Sequence, residues 1–295
     1  MRITLTGATG FIGKRLVQSS IARGDEVTIL TRRVRPGSNP RYLGWNAATP
    51  PPAESMNADA VIHLAGEPVA QRWSAEVKQR IRASRVEGTR AIVDGLLAAP
   101  QRPPVLISAS AIGIYGDRGD EELTEASRAG SGFLPEVAVA WERESARAAA
   151  HGVRVVNPRI GIVLGGDGGA LEKMLTPFKA GVGGKLGSGE QWMSWIHVDD
   201  LVSMILFALG NDAASGPVNG TAPKPVRNAE FTSTLASVLH RPAVFPVPGF
   251  ALRLMFGEMS EVLLGSQKVL PESARRAGFQ FRYPDLRGAL TSILG

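Results

Sequence analysis

No cysteine occurs among the 295 residues. That excludes a disulfide framework, thiolate zinc sites and a cysteine nucleophile. Histidine is scarce, at four, and no His/Asp/Glu grouping has metal-ligand spacing, so no metal site is expected. Aromatic residues are 6% of the chain and tyrosine occurs three times. No apolar run reaches the roughly 18 residues that span a membrane. Arg2 leads straight into the strand-like Ile3-Thr4-Leu5 rather than into the apolar core of a signal peptide. The expectation is a cytoplasmic protein without a membrane partner.

Hydrophobic residues make up 44% and charged residues 20%, enough for a substantial core. The net charge is +6, and most of the excess is arginine. A basic balance raises nucleic-acid binding. No basic block is interleaved with aromatics and no nucleic-acid motif accompanies the charge. We read the arginines as solvated surface, with a few assigned to anionic groups of a small ligand.

The first half alternates strand and helix signals. Strands are predicted over 2–6, 26–30, 59–64, 105–109 and 153–157, and helices over 11–23, 74–98 and 133–151. Such alternation implies βαβ units, right-handed crossovers and a parallel sheet with helices on both faces. The predicted fold is α/β: a doubly wound, Rossmann-like sheet with a smaller C-terminal lobe on the substrate side. The dinucleotide-binding core is expected over 1–165 with 195–228 returning to it, and the lobe over 166–194 and 229–295. The glycine-rich stretch 161–189 reads as a cover over a ligand rather than as sheet. Asp199-Asp200 is expected to open a helix over 198–209, and Asn228 to cap the next one. No internal repeat or low-complexity tract is present.

The sharpest motif is Thr6-Gly7-Ala8-Thr9-Gly10-Phe11-Ile12-Gly13. It follows a strand and opens a helix, the context a phosphate-binding turn requires. Gly7 permits the tight turn, Gly10 lets backbone amides approach a diphosphate, and Gly13 lets helix and strand pack closely. The free amides and partial positive charge of the helix N-terminus, at Phe11 and Ile12, suit the phosphates. The second strand ends in Thr31-Arg32-Arg33, with no carboxylate for a ribose 2′-hydroxyl. A guanidinium there can hold a 2′-phosphate in a bidentate grip. NADP(H) is therefore expected in preference to NAD(H); the competing reading of Arg32 and Arg33 is ordinary exposed loop residues.

The sequence resembles the extended short-chain dehydrogenase/reductase superfamily and, more narrowly, the atypical epimerase-family proteins with a C-terminal extension. The resemblance runs through TGATGFIG (6–13), HLAG (63–66), SRVEGT (84–89), SASAIGIYG (108–116), PRIGIVLG (158–165), MSWIHVDD (193–200), NGTAP (219–223) and the segment 256–286. It implies that His63, Leu64, Ala65 and Gly66 pass the adenosine ribose. It places Arg85 where ordinary members carry an asparagine, as a contact to cofactor ribose or phosphate or else a surface ion pair. It assigns Arg159 to Val163 to the loop that borders the nicotinamide.

The resemblance also implies a catalytic Tyr and a Lys four residues later on one helix. Here that register holds Val137 and Trp141, neither of which carries a proton at neutral pH. The family's serine falls at Ala111, with Ser110 beside it. Ser110 and Tyr115 are the candidate replacements for proton transfer, against plainer roles as a capping hydroxyl and a packed aromatic. Glu142 and His197 are further candidates, read more plainly as an exposed helix charge and a loop-orienting side chain. The reading is an NADP(H)-binding oxidoreductase or epimerase acting on an unidentified small molecule. The alternative is a catalytically silent NADPH-binding sensor. A homodimer through the two long helices is a further expectation.

Overall fold

Runs such as Ala60-Val61-Ile62-His63 and Val105-Leu106-Ile107-Ser108 are buried at every position, as strands covered on both faces of a parallel sheet must be. The computed structural model describes residues 1–295. The chain begins β1 (Arg2–Thr6), α1 (Phe11–Ala22), β2 (Glu26–Thr31), β3 (Arg41–Gly44), β4 (Ala60–His63), α2 (Ala75–Ala98), β5 (Val105–Ser108) and β6 (Ser110–Ala111). It continues with β7 (Glu122–Leu123), α3 (Phe133–Ala149), β8 (Arg154–Ile160), β9 (Ile162–Leu164), α4 (Gly169–Lys179), β10 (Trp192–Met193) and β11 (Trp195–His197). Next come α5 (Val198–Gly210), β12 (Gly216–Gly220), β13 (Val226–Arg227) and α6 (Asn228–Leu239). The C-terminal part holds α7 (Gly249–Phe256), α8 (Ser260–Leu264), β14 (Lys268–Val269), α9 (Glu272–Arg276) and α10 (Leu286–Leu294).

The main sheet runs β12-β8-β5-β4-β1-β2-β3, with β6 extending alongside β8. Its pairings are all parallel. Alternate residues of each strand serve opposite faces. Ile62, Ile107 and Val156 enter one core with Leu16 of α1 and Leu201 and Ile205 of α5. Val61, Leu106 and Val155 enter the other with Ile92 and Leu96 of α2 and Ala148 of α3. Strand order reverses beside β1, so the crevice at the carboxyl ends of β1 and β4 is where such a sheet binds ligands.

A third core joins Leu171, Leu175 and Phe178 of α4 to Phe231 and Leu235 of α6 and Leu286 and Leu290 of α10. The C-terminal segment is stitched to the rest by polar contacts. Asp200 accepts from the amides of Arg282 and Tyr283, both at 2.9 Å, and His197 stacks on Tyr283 with centroids 4.0 Å apart. Gln267 Nε2 donates to the carbonyls of Ile112 and Gly116 at 3.0 Å. It thereby holds the tight turn that follows Ser110.

Three local expectations change. The glycine-rich stretch contains β9, paired with β11, and the helix α4; its glycines punctuate these elements rather than replace them. The cap of α5 is His197, whose Nδ1 accepts from the Asp199 amide at 3.0 Å. Asp200 is thereby free to anchor the C-terminal segment. Asn228 lies inside α6, with Arg227 at the cap position. Its side chain instead accepts from the Leu186 amide at 2.8 Å.

Candidate functional site

The turn after β1 is built by close backbone approach. Gly7 has φ +73°, and a Cβ there would stand 2.7 Å from the Leu64 carbonyl carbon. A Cβ on Gly13 would stand 2.2 Å from the Gly7 oxygen. No side chain caps α1, and the amides of Phe11 and Ile12 meet no protein acceptor. The first turn of α1 therefore offers free donors and partial positive charge. The Phe11 ring faces away, 4.7 Å below the Arg15 guanidinium and against Gly165 and Gly168, so Phe11 contributes its amide alone. Ile12 likewise turns its side chain into the core.

A cleft of about 480 Å³ opens above this turn. Gly7, Thr9, Gly10, Thr31, Arg32, Leu64, Ala65 and Gly66 line it, and Trp45, Asn46 and Ala47 close its far wall. Arg32 also lines an adjoining hollow with Trp45 and Asn46, and it makes no ion pair within 4 Å. Arg33 is exposed and lines neither space. The free amides, the cradle that a Cβ would fill and the unpaired guanidinium fit a dinucleotide diphosphate with an anionic group on its adenosine side.

His63 sits beneath the cleft, fully buried. Thr6 Oγ1 accepts from the amides of Leu64 and Ala65, each at 3.2 Å. Its single proton is then left for His63 Nδ1, 2.7 Å away. The imidazole proton is thereby placed on Nε2. Burial pushes the His63 pKa down to about 4, so the ring is neutral. This residue ties β1 to the loop 64–66, while Leu64, Ala65 and Gly66 are the members of that loop on the cleft surface.

Outside the cleft lining, just past the carboxyl end of β5, the buried Ser110 donates from Oγ to Glu142 Oε1 at 2.6 Å. Glu142, on α3, is held in a bidentate grip by Arg159 Nε and Nη2, both at 2.8 Å. Burial works against the Arg159 cation, but Glu142 and Tyr115 outweigh it and raise its pKa. Ser110, rather than Ala111, carries the polar contact of the segment, and Glu142 is no exposed helix charge.

Tyr115 lies away from the cleft lining. Its side chain is fully buried; its hydroxyl donates to Asn219 Oδ1 at 2.7 Å and accepts from Arg159 Nη1 at 2.9 Å. Burial raises the phenol pKa against the pull of Arg159. The hydroxyl thus has both a donor and an acceptor partner within the protein. Arg159 stands within β8 with its guanidinium spent on Glu142 and Tyr115, and Val163 packs into the core from β9. Neither borders the cleft.

Val137 and Trp141 are buried on the inner face of α3. Arg85, on α2, lays its guanidinium over the Trp141 ring, 5.2 Å from the centroid. Its Nη1 donates to the carbonyls of Glu67 at 3.0 Å and Ile81 at 3.2 Å. Of the two readings of Arg85, the surface ion pair is not formed, while the guanidinium stands directly behind Gly66 of the cleft wall. A Cβ on Gly66 would lie 3.5 Å from its Cζ.

Sequence reasoning missed Trp45–Ala47 and Asn219. The first follow β3, an edge strand too short to signal itself. Asn219 lies in the quoted NGTAP motif, but nothing local in that motif points to Tyr115.

Residues 3–219 match the NAD dependent epimerase/dehydratase family, and residues 247–293 match a domain of unknown function, DUF1731. A protein from Arabidopsis thaliana described as "Epimerase family protein SDR39U1 homolog, chloroplastic" is 44% identical over 304 residues, covering 100% of this chain and 87% of that one. The epimerase family protein YfhF of Bacillus subtilis is 40% identical, covering 100% and 98%. Among solved structures, human epimerase family protein SDR39U1 with NADPH superposes with a TM-score of 0.91 at 36% identity, covering 99% of each chain. The parallel sheet, the glycine turn and these matches agree: the chain belongs to the NAD-dependent epimerase/dehydratase family, with the C-terminal DUF1731 domain appended.

Proposed function

We propose that the protein is an NADP(H)-dependent oxidoreductase or epimerase that acts on a small molecule without the usual Tyr and Lys pair. The observation that carries the cofactor preference is Arg32. It stands at the end of β2, lines both the cleft and its adjoining hollow, and has no carboxylate partner. Planar guanidinium donors match a 2′-phosphate. The human relative solved with NADPH supports the same preference. Gly7, Thr9, Gly10 and Gly13, with the amides of Phe11 and Ile12, would hold the diphosphate. Thr31 and Arg32, with Arg33 nearby, would take the adenosine side, and Leu64 to Gly66 the ribose above His63.

When bound, the cofactor supplies hydride chemistry. This chain must then move a proton, and Ser110 is the group for it. Its hydroxyl is oriented by Glu142, which Arg159 fixes in turn. A substrate hydroxyl can pass its proton to Ser110 Oγ as Ser110 passes its own to Glu142, so the proton count balances.

Binding titrations test the first part. NADP should bind at least about tenfold more tightly than NAD, and Arg32→Ala should remove that ratio. Equal affinities in the unaltered protein overturn the preference. Deuteride transfer from labelled NADPH to a panel of carbonyl compounds and nucleotide sugars tests the second part. Turnover that Ser110→Ala abolishes with NADPH affinity intact supports the assignment. Cofactor binding with no transfer across the panel favours the silent sensor, a reading that the sealed Tyr115 hydroxyl supports.

A further inference from the structure

Arg85 is partly buried against α3 yet is not neutralised. No carboxylate lies within 4 Å of its guanidinium. The nearest acid, Glu67, is turned to Arg80 at 3.6 Å and to Gln71 Nε2 at 3.1 Å. Only Nη1 has protein acceptors, and both are carbonyls. Nε and Nη2 have none. The Trp141 indole under it is buried too, and its Nε1 proton meets no acceptor. Beside Trp141 stands Glu142, whose charge Arg159 already balances.

The region between Gly66 and Ser110 is thus a wall of donors with one uncompensated positive charge. Two backbone bonds and the ring face fix the charge in place. Burial lowers the Arg85 pKa only to about 10, so the group is cationic throughout the physiological range. Across the sheet, Arg32 follows β2, the glycine turn β1, Gly66 β4 and Ser110 β5, so a dinucleotide with its adenosine at Arg32 and its diphosphate over the turn would extend its nicotinamide half past Gly66, in front of Arg85.

We propose that Arg85 sets the redox-state preference of the site, favouring the neutral dihydronicotinamide of NADPH over the cationic pyridinium of NADP⁺. Like charges in a poorly solvated wall repel more strongly than in water, and a side chain held at three points cannot swing away. This inference rests on the NADP(H) reading above. It adds that the protein discriminates between the two forms of one cofactor, a property useful to an enzyme that consumes NADPH and equally to a sensor of its oxidation.

Affinities for NADPH, NADP⁺ and 2′-phospho-ADP-ribose, which lacks the ring, test it by calorimetry. The unaltered protein should bind NADPH about tenfold more tightly than NADP⁺. It should bind the ringless compound at least as well as NADP⁺. Arg85→Lys should keep most of the NADPH:NADP⁺ ratio. Arg85→Met, and Arg85→Gln, which retains a donor for the two carbonyls, should bring it within about twofold. A purely architectural Arg85 would weaken both forms equally and leave the ratio standing, which overturns the proposal. A ratio near one in the unaltered protein, or NADP⁺ binding clearly tighter than the ringless compound, overturns it even where neither neutral variant folds. If none of the three ligands binds, it is the NADP(H) reading itself that fails.

Discussion

The glycine turn and the polar network around Ser110 are made of different materials. In the turn the working groups are backbone amides of one contiguous stretch, Gly7 to Gly13, and side chains matter there mainly by being absent. In the network the working groups are side chains from separate elements: Ser110 on β6, Glu142 on α3, Arg159 on β8 and Asn219 on β12. Tyr115 joins them from the turn after β6. A backbone site tolerates almost any neighbouring chemistry so long as the chain can bend. A side-chain network holds only if every partner is present, because each buried polar group depends on another for its hydrogen bond.

The largest effect should come from breaking that network at its centre. Arg159→Met leaves Glu142 with Ser110 alone and removes a donor from Tyr115. Removing one partner of a buried pair typically costs about 3–5 kcal/mol. Urea unfolding should show a loss of that order, and Arg159→Met with Glu142→Leu should recover much of it. If the single variant is as stable as the parent, the network is not a structural unit and the contrast between turn and network disappears.

In the glycine turn a single methyl should be enough. Gly13→Ala drives a Cβ into the Gly7 carbonyl at 2.2 Å. Overpacking of this kind costs roughly 1–3 kcal/mol. It also displaces the amides meant for phosphate, so NADPH affinity should fall about 100-fold, close to 2.7 kcal/mol. Gly210→Ala is the control: its Cβ would meet nothing within 4 Å, and neither stability nor affinity should change appreciably.

The same contrast explains what was legible beforehand. The turn could be read because its determinants are adjacent and the strand–turn–helix order is visible in Arg2 to Gly13. The sheet could be read because short, continuous aliphatic runs recur at helix-separated intervals. The pairing of Glu142 with Arg159 and Ser110 could not, since 17 and 32 residues separate the partners and no periodicity records which strand end faces which helix turn. The surroundings of Tyr115 were illegible for a related reason. A tyrosine just after a strand-end serine has the composition of a catalytic residue. Its environment depends on Asn219, 104 residues away. His197 was readable only as a type, a histidine before a helix. That its ring both caps α5 and stacks on Tyr283 follows from the C-terminal segment folding back.

Acid should act where the two materials meet, at His63. The folded pKa is about 4 against an ordinary 6.5. The unfolded chain therefore takes up a proton that the folded chain refuses between those values. Stability from this residue is fully present above pH 6.5 and falls as pH drops towards 4. The loss at pH 5 relative to pH 7 is about 2 kcal/mol. His63→Gln, which keeps an acceptor for Thr6, should flatten this part of the urea-midpoint profile. An unchanged slope would mean that the imidazole is hydrated in solution and titrates normally.

The smallest expected effect is also the one that separates structure from chemistry. Tyr115→Phe removes the hydroxyl between Arg159 Nη1 and Asn219 Oδ1. It leaves the ring in place among Ile112, Ile114, Leu123 and Val269. Arg159 retains Glu142 and the Glu125 carbonyl, 3.3 Å away, so the orphaned group is Asn219 Oδ1. The cost should be about 1–2 kcal/mol, that of one buried acceptor left unsatisfied. NADPH affinity and any deuteride transfer should stay as in the parent, because the phenol meets neither ligand. Ser110→Ala should show the reverse: little change in stability and loss of transfer. If Tyr115→Phe instead abolishes transfer while its stability and NADPH affinity match the parent, the hydroxyl reaches substrate by a motion that opens the Asn219 bond. Proton transfer would then belong to the tyrosine rather than to Ser110 and Glu142.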